Sequence, residues 1–318
     1  MCLYPRLIKN RKYLINKKNK GNVPTPNDER VKYVSIGCGK CIECTKKRAR
    51  DWKVRLNEEI RVNNKAKFVT LTFDEKNLKK YKELVIDYPE EEQPNEIATL
   101  AIRHFLERWR KEYKKSVKHW LITELGHTGT ERIHIHGILW TEEDNKTITK
   151  LWKNGYTYTG QYVNEKTINY ISKYVTKIDI QHKWFTGKIL TSAGIGSNYT
   201  KRPDSNKNKF KHKDTNELYT TRTGTKLPLP IYYRNKIYTE EEREKLWTIK
   251  LDQEIRYIEG KKIDVSTDEG IKLYEKALEE ARKNNIKMGY GKIDWDSEIY
   301  KKSIKKIKYL TKQLHNKK

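Results

Sequence analysis

The segment Ile133-His134-Ile135-His136 places two imidazoles one residue apart. In an extended chain, alternation sends both histidines to one face and both isoleucines to the other, so the apolar pair marks the core side and the imidazoles can share one divalent ion. Glu124 ends the preceding β-rich run, Trp120-Leu-Ile-Thr-Glu124, and can add a hard oxygen to the same face. Two imidazoles and a carboxylate with open positions suit Mg²⁺ or Mn²⁺ in a phosphoryl-transfer site, with Zn²⁺ as the alternative. A nucleophile is offered by Tyr170-Ile-Ser-Lys173-Tyr174-Val-Thr-Lys177. At about 100° per residue, Tyr170, Lys173, Tyr174 and Lys177 share roughly 100° of helical arc, while Ile168, Ile171, Val175 and Ile178 gather on a separate apolar stripe. A tyrosine hydroxyl, with an ordinary pKa of about 10, is a weak nucleophile, but a neighbouring ammonium and a metal-polarised phosphate both favour the phenolate. Each motif alone has a bland reading, a satisfied histidine pair or an amphipathic helix with solvated lysines. Together they point to attack of a phenol on a phosphodiester.

A second constellation is Cys38-x2-Cys41-x2-Cys44, crowded with Lys and Arg. The remaining cysteine, Cys2, can complete a four-thiolate set for structural Zn²⁺; free thiols are the alternative, since disulfides are disfavoured in a reducing compartment.

The elements that must position these residues read as mixed helix and strand. Phe68-Val-Thr-Leu-Thr-Phe73, Trp120 to Glu124 and Arg132 to Trp140 are expected strands, the last two joined as a hairpin through a Gly126–Gly129 turn. Between them, Ile97, Leu100, Ala101, His104, Phe105, Arg108 and Trp109 follow helical periodicity. A short helix over Asp144–Lys153, a strand over Tyr156–Val163 and a helix over Glu165–Lys177 follow, and Thr45–Asn63 reads as a basic helix. This order predicts an α+β fold, an antiparallel sheet of about five strands with flanking helices. Glu83–Glu96, acidic with two prolines, reads as an exposed connection. Lys201–Lys213 reads as a mobile basic loop, and the chain from Thr239 as mostly helical, with capping signals at Thr239 and Ser266. The expected divisions are a basic N-terminal region with the cysteines (1–64), a catalytic domain (65–235) and a helical C-terminal region (236–318).

Across 318 residues, 69 Lys+Arg against 42 Asp+Glu leave a net charge of +27. The 21 Tyr, 8 Trp and 5 Phe argue against disorder despite the low apolar fraction. Residues 1–67 carry 19 basic and 6 acidic side chains, and Lys301–Lys318 carries 8 Lys and no acid. Such a surplus, interleaved with aromatics, suits phosphate and unpaired bases. No apolar run of about 18 residues predicts a membrane span. Met1–Lys20 lacks the apolar core of a secretory signal, so a cytoplasmic location is expected. The absence of a GxxxxGK loop argues against an ATP-driven helicase.

The succession Phe68-Val-Thr-Leu-Thr-Phe73, His134-Ile-His136 and Tyr170-x3-Tyr174 resembles the three motifs of HUH endonucleases that initiate rolling-circle replication. More narrowly, the opening Met1–Tyr13, the segment Gly37–Cys44 and Lys226-Leu-Pro-Leu-Pro-Ile-Tyr-Tyr233 are similar to replication initiators of gokushovirus-like microviruses. The likeness covers about residues 1–235. It implies an HUH, RRM-like palm in which His134, His136 and Glu124 hold Mg²⁺ or Mn²⁺ on the scissile phosphate of single-stranded phage origin DNA. Tyr170 or Tyr174 would attack, giving a 5′-phosphotyrosine and a free 3′-OH. Lys173 and Lys177 would offset phosphate charge, and the second tyrosine would allow a later cut and circle closure. The resemblance further implies host helicase and polymerase as partners in the host bacterial cytoplasm. Alternatives are a non-catalytic single-stranded DNA binding or packaging protein, a relaxase or transposase of the same chemistry and, more remotely, a zinc hydrolase.

Overall fold

The computed structural model describes residues 1–127, 131–182 and 184–290, together with 299, 302, 303, 305–307, 309, 310 and 313. Gly129 of the expected hairpin turn and about half of the basic run from Lys301 lie outside the described residues.

The chain opens with an antiparallel pair, β1 (Arg6–Lys9) and β2 (Tyr33–Ile36), and enters α1 (Ile42–Val62). There follow β3 (Ala66–Leu71), α2 (Glu75–Leu84), α3 (Gln93–Tyr113), β4 (Lys118–Leu125) and β5 (Ile133–Trp140). Next come α4 (Asn145–Trp152), β6 (Thr157–Thr159), α5 (Glu165–Thr176) and β7 (Ile189–Thr191). The last part holds β8 (Leu218–Thr220), β9 (Lys226–Pro228), α6 (Ile231–Ile237), α7 (Glu240–Asp252), β10 (Ile255–Ile258), β11 (Lys261–Asp264) and α8 (Asp268–Lys287). These elements form two compact units. One comprises Met1–Lys47, Asn206–Tyr219 and the described chain from Lys226; the other comprises Arg48–Ser205 with Thr220–Thr225.

The second unit is built on a five-stranded antiparallel sheet in the order β6-β3-β5-β4-β7, flanked by helices, as the alternation of strand and helix signals predicts. β5 is its central strand, so its backbone is paired on both sides. Gly137 makes that pairing possible: a Cβ there would sit 2.2 Å from the Trp120 carbonyl oxygen and 2.7 Å from Leu121 Cα. One face carries Val69, Leu71, Leu121, Ile133, Ile135 and Leu139 against Phe105 of α3 and Trp152 of α4. On the other, Trp120, Ile122 and Ile138 pack against Leu56 of α1 and Ile168, Ile171 and Val175 of α5. Two buried carboxylates anchor the segment after β7 to α1. Glu58 accepts from Arg202 at 2.8 and 2.9 Å, and Glu59 accepts from the Gly196 N–H at 2.8 Å and from Lys118 at 2.7 Å.

Several elements depart from the sequence expectations. The acidic connection is shorter than Glu83–Glu96, because α2 runs to Leu84 and α3 starts at Gln93 with Pro94 in its first turn, where a missing N–H costs little. The strand expected over Tyr156–Val163 narrows to Thr157–Thr159, since it lies on the sheet edge and its pairing with β3 ends as Gly160 N–H donates to the Phe68 carbonyl. The expected loop at Lys201–Lys213 is instead a series of 3-10 turns, Ser197–Lys201, Pro203–Asn208 and His212–Asp214. Asn208 in it is fully buried and donates to the carbonyls of Asn216 (2.6 Å) and Leu218 (2.9 Å), so polar composition there satisfies backbone rather than solvent. In the C-terminal stretch the Thr239 capping box is present, but α7 and α8 are separated by a β10–β11 hairpin turning through Glu259 and Gly260, both at positive φ.

Candidate active site

β5 delivers the two histidines as strand alternation requires. His136 lies between Thr70 of β3 and Ile122 of β4, and His134 stands opposite Glu124 of β4. Opposed residues of an antiparallel pair project to one face, so His134, His136 and Glu124 share the α5 side of the sheet. The Thr70 hydroxyl and His136 Nδ1 share a 3.0 Å hydrogen bond, and His136 Nε2 faces Glu124 Oε2 at 2.9 Å. The remaining Glu124 oxygen accepts from Lys177 Nζ.

α5 begins at an Asn164–Thr167 capping box, which sets the phase of its two stripes. Ile168, Ile171 and Val175 are buried, so Tyr170 and Tyr174 are turned toward the histidine strand. The Tyr174 ring stacks on His136 with centroids 4.9 Å apart and planes 15° from parallel. The two phenolic oxygens share a 2.7 Å hydrogen bond, and Tyr170 is 51% exposed with its ring edge-on to Phe68. Lys177, the residue that caps α5, reaches Glu124 and lies 5.9 Å from the Tyr174 ring centre. Lys173 is exposed. His134, His136, Glu124, Tyr170, Tyr174 and Lys177 thus converge, whereas Lys173 stands at the rim.

The electrostatics follow from burial and these contacts. Burial works against the Glu124 carboxylate, yet the hydrogen bonds from His136 and Lys177 hold its pKa below the ordinary glutamate value. Burial, with the positive charge of His136 and Arg132, lowers the His134 pKa against the pull of Glu124. Burial, the Tyr170 hydroxyl and the Glu124 charge push the Tyr174 phenol well above its ordinary value. The arrangement is therefore a neutral His134, an ionised Glu124 and a protonated Tyr174 at neutral pH.

This donor set fits a divalent cation. An imidazole nitrogen and a carboxylate oxygen 2.9 Å apart need a proton or a cation between them, and the Thr70 contact at Nδ1 leaves Nε2 as the ligating atom. Among the described residues, neither ring nitrogen of His134 has a hydrogen-bond partner. The three donor atoms do not all fall within 4.8 Å of one another, and the His134 and His136 ring centres are 6.2 Å apart, so completing the set requires the His134 ring to turn toward Glu124.

A further group was not anticipated. Asp179, buried just beyond α5, accepts from the His182 N–H at 2.7 Å and lies 3.1 Å from its ring and 3.8 Å from His127. The donor atoms of these three residues lie within 4.8 Å of one another, and His127 and Asp179 line a small cleft together with Glu124, Tyr174 and Lys177. The available signals were a histidine three residues beyond Glu124 and an Asp-x2-His spacing directly after Lys177.

Comparison with known proteins bears on the same segment. Residues 66–179, which span β3 through the end of α5, match a family model of the Replication-associated protein ORF2 type. The chain is also similar to Replication-associated protein ORF2 of Spiroplasma virus 4, with 26% identity over 254 residues that cover 67% of this chain and 74% of the relative. No solved structure matches. Among the described residues, no helix is long and apolar enough to cross a membrane.

Proposed function

We propose that this chain is a replication initiator of a small single-stranded DNA phage, an HUH-type endonuclease that nicks and rejoins origin DNA through a tyrosine. The observation that carries this reading is the seating of the two-tyrosine face of α5 on the histidine strand, with Tyr174 stacked on His136 and its hydroxyl bonded to that of Tyr170. The family match over the same residues and the likeness to the Spiroplasma virus 4 protein support it.

His134, His136 and Glu124 would hold Mg²⁺ or Mn²⁺, which when bound withdraws electron density from a phosphate. The half-exposed Tyr170 is the phenol that incoming DNA can reach, while Tyr174, held protonated, donates to the Tyr170 oxygen and favours its anionic form. Tyr170 Oη attacks phosphorus and the bond to the 3′ oxygen breaks. The phenolic proton leaves to solvent, and the departing oxygen takes up a proton to become a 3′-OH. The 5′ end stays on the enzyme as a phosphotyrosine, which conserves the bond energy, so rejoining needs no ATP. Tyr174 would make the later cut, after which the released 3′-OH attacks the first phosphotyrosine and closes the circle. Lys177 and the exposed Lys173 supply positive charge beside the reacting phosphate. Host helicase and polymerase acting in the bacterial cytoplasm would then extend the 3′-OH.

The test is incubation with circular single-stranded phage DNA in Mn²⁺ or Mg²⁺ and in EDTA, read on denaturing gels and by mass analysis of protein-linked DNA. A metal-dependent nick with an adduct that Tyr170→Phe/Tyr174→Phe abolishes is expected. Tight binding without an adduct on origin-containing DNA would transfer the function to the non-catalytic binding class.

A further inference from the structure

The four cysteines stand apart from the nicking chemistry and lie wholly within the unit that contains the N-terminal residues. Cys2 comes from the chain's opening, Cys38 from the turn after β2, Cys41 from the residue before α1, and Cys44 from the first turn of that helix. Their four sulfurs all lie within 4.8 Å of one another, with Cys41 to Cys2 at 3.9 Å and Cys38 to Cys44 at 4.0 Å. From these positions we infer that Cys2, Cys38, Cys41 and Cys44 bind a single Zn²⁺ ion as a structural tetrathiolate that fastens the start of the chain to α1.

The distances choose among the chemistries that four cysteines allow. A disulfide needs a sulfur pair at about 2.05 Å, and all four cysteines are free. A tetrahedron with Zn–S bonds of about 2.3 Å has edges of about 3.8 Å, close to the two separations found here. The spacing C-x2-C-x2-C with a remote fourth cysteine is also one that iron–sulfur clusters use, so sequence alone does not decide between ion and cluster. A four-iron cube puts one thiolate on each iron corner and drives the cysteine sulfurs much further apart than these, which leaves room for one ion only. Four thiolates in a tetrahedron select Zn²⁺ among common divalent ions.

The surroundings are built for such a centre. The backbone N–H groups of Cys38 and Tyr4 donate to Cys2 Sγ at 3.1 and 3.3 Å, and that of Cys41 donates to Cys38 Sγ at 3.3 Å; hydrogen bonds of this kind orient metal-bound thiolates. Gly37 leaves the space: a Cβ there would lie 3.1 Å from Cys44 Sγ and 3.7 Å from Cys2 Cβ. The α1 N-terminus and the neighbouring Lys40, Lys46 and Lys47 offset the net negative charge of a zinc tetrathiolate. The core behind it is small, Leu3, Tyr4 and Ile42 with Ile258, Leu278 and Ala281. α8 closes over it, with Asn285 accepting from the Ile42 N–H at 2.9 Å and Arg282 donating to the Leu3 carbonyl at 2.9 Å. A core of that size gains from a metal staple that closes the long loop between Cys2 and Cys38.

The full chain, purified without chelator and dialysed into metal-free buffer, should carry one zinc per chain by elemental analysis. Mercurial titration should release that zinc as four thiols react. The His134→Ala/His136→Ala variant should keep its zinc, which separates this centre from the histidine site and makes the result independent of the nicking reading. Cys2→Ser should lose zinc to EDTA faster than wild type and melt at lower temperature. Because Cys41→Ser risks failing to fold, Co²⁺ exchange into the wild-type protein provides the second measurement, with the intense visible bands of a tetrahedral tetrathiolate expected. Folded protein with zinc far below one equivalent and four freely reactive thiols would overturn the inference. Iron with acid-labile sulfide, or zinc lost with the two histidines, would do the same.

Discussion

At the residue scale, the histidine pair, Glu124 and the two tyrosines have separable contributions. Tyr170 is half exposed and Tyr174 is partly buried with its pKa raised, so Tyr170→Phe should abolish the first cleavage of an origin oligonucleotide, while Tyr174→Phe should still cut once but fail to close a circle. The opposite order of effects in a cleavage-and-joining assay would reverse the assignment of the two phenols. Glu124→Gln removes the charge that both His136 and Lys177 engage. It should raise the Mn²⁺ concentration for half-maximal nicking by about tenfold or more, since losing only a group that hydrogen-bonds a ligand already costs about 10–100-fold in metal affinity. The pKa of His134 is depressed in the fold, so the unfolded chain takes up a proton at higher pH than the folded one. Its stabilising contribution is then present above the unfolded value of about 6.5 and is lost as pH falls through the folded pKa. Urea midpoints measured from neutral pH downward should decline through that window, and His134→Gln should flatten the decline. The motifs themselves were legible because strand alternation and helical phase are local. The partnership of Asp179 with His127 and His182 was not, because those residues meet only when the chain beyond α5 folds back to the end of β4.

At the scale of elements, β5 and α5 carry the site, and each depends on one backbone device. The Asn164 side chain accepts from the Thr167 N–H at 3.0 Å and the Thr167 hydroxyl accepts in return from Asn164 N–H at 3.3 Å, closing the first turn of the tyrosine helix. Asn164→Ala should cost about 1 kcal/mol in denaturant unfolding and leave the Mn²⁺ requirement of nicking unchanged, since it touches no candidate ligand. The apolar periods exposed α3, α4, β5 and α5 to sequence reading, and β4 with them. The edge strands escaped it: β6 and β7 are three residues each, too short for alternation to register, and their existence depends on neighbours β3 and β4 offering unpaired backbone. Glu58 and Glu59 read as solvated charges on a basic helix, whereas both are buried against Arg202, Lys118 and the Gly196 N–H. Paired burial of that kind leaves no local mark.

At the scale of the whole molecule, the net charge of +27 is the property that bears most directly on a partner. If it serves single-stranded DNA, log affinity should fall linearly with log salt, with a slope of about −0.7 per phosphate contacted. A flat salt response in fluorescence anisotropy would remove nucleic acid as the reason for the charge. The two compact units also differ in how local they are: one is nearly continuous, Arg48–Ser205 with a short return at Thr220–Thr225, while the other gathers segments from both ends of the chain.

Residue order alone determined an antiparallel α+β core, the face shared by His134 and His136, the tyrosine face of α5 and the spacing of three cysteines, because each follows from a period of two or 3.6 residues or from a short motif. Tertiary structure alone decided that α5 would cover that particular face, that Lys177 would reach Glu124, that Cys2 would meet Cys38, Cys41 and Cys44, and that the polar stretch after Lys201 would be folded. Those outcomes rest on contacts between residues far apart in the chain, whose energy comes from shared burial and paired charge and is invisible in any single window of sequence.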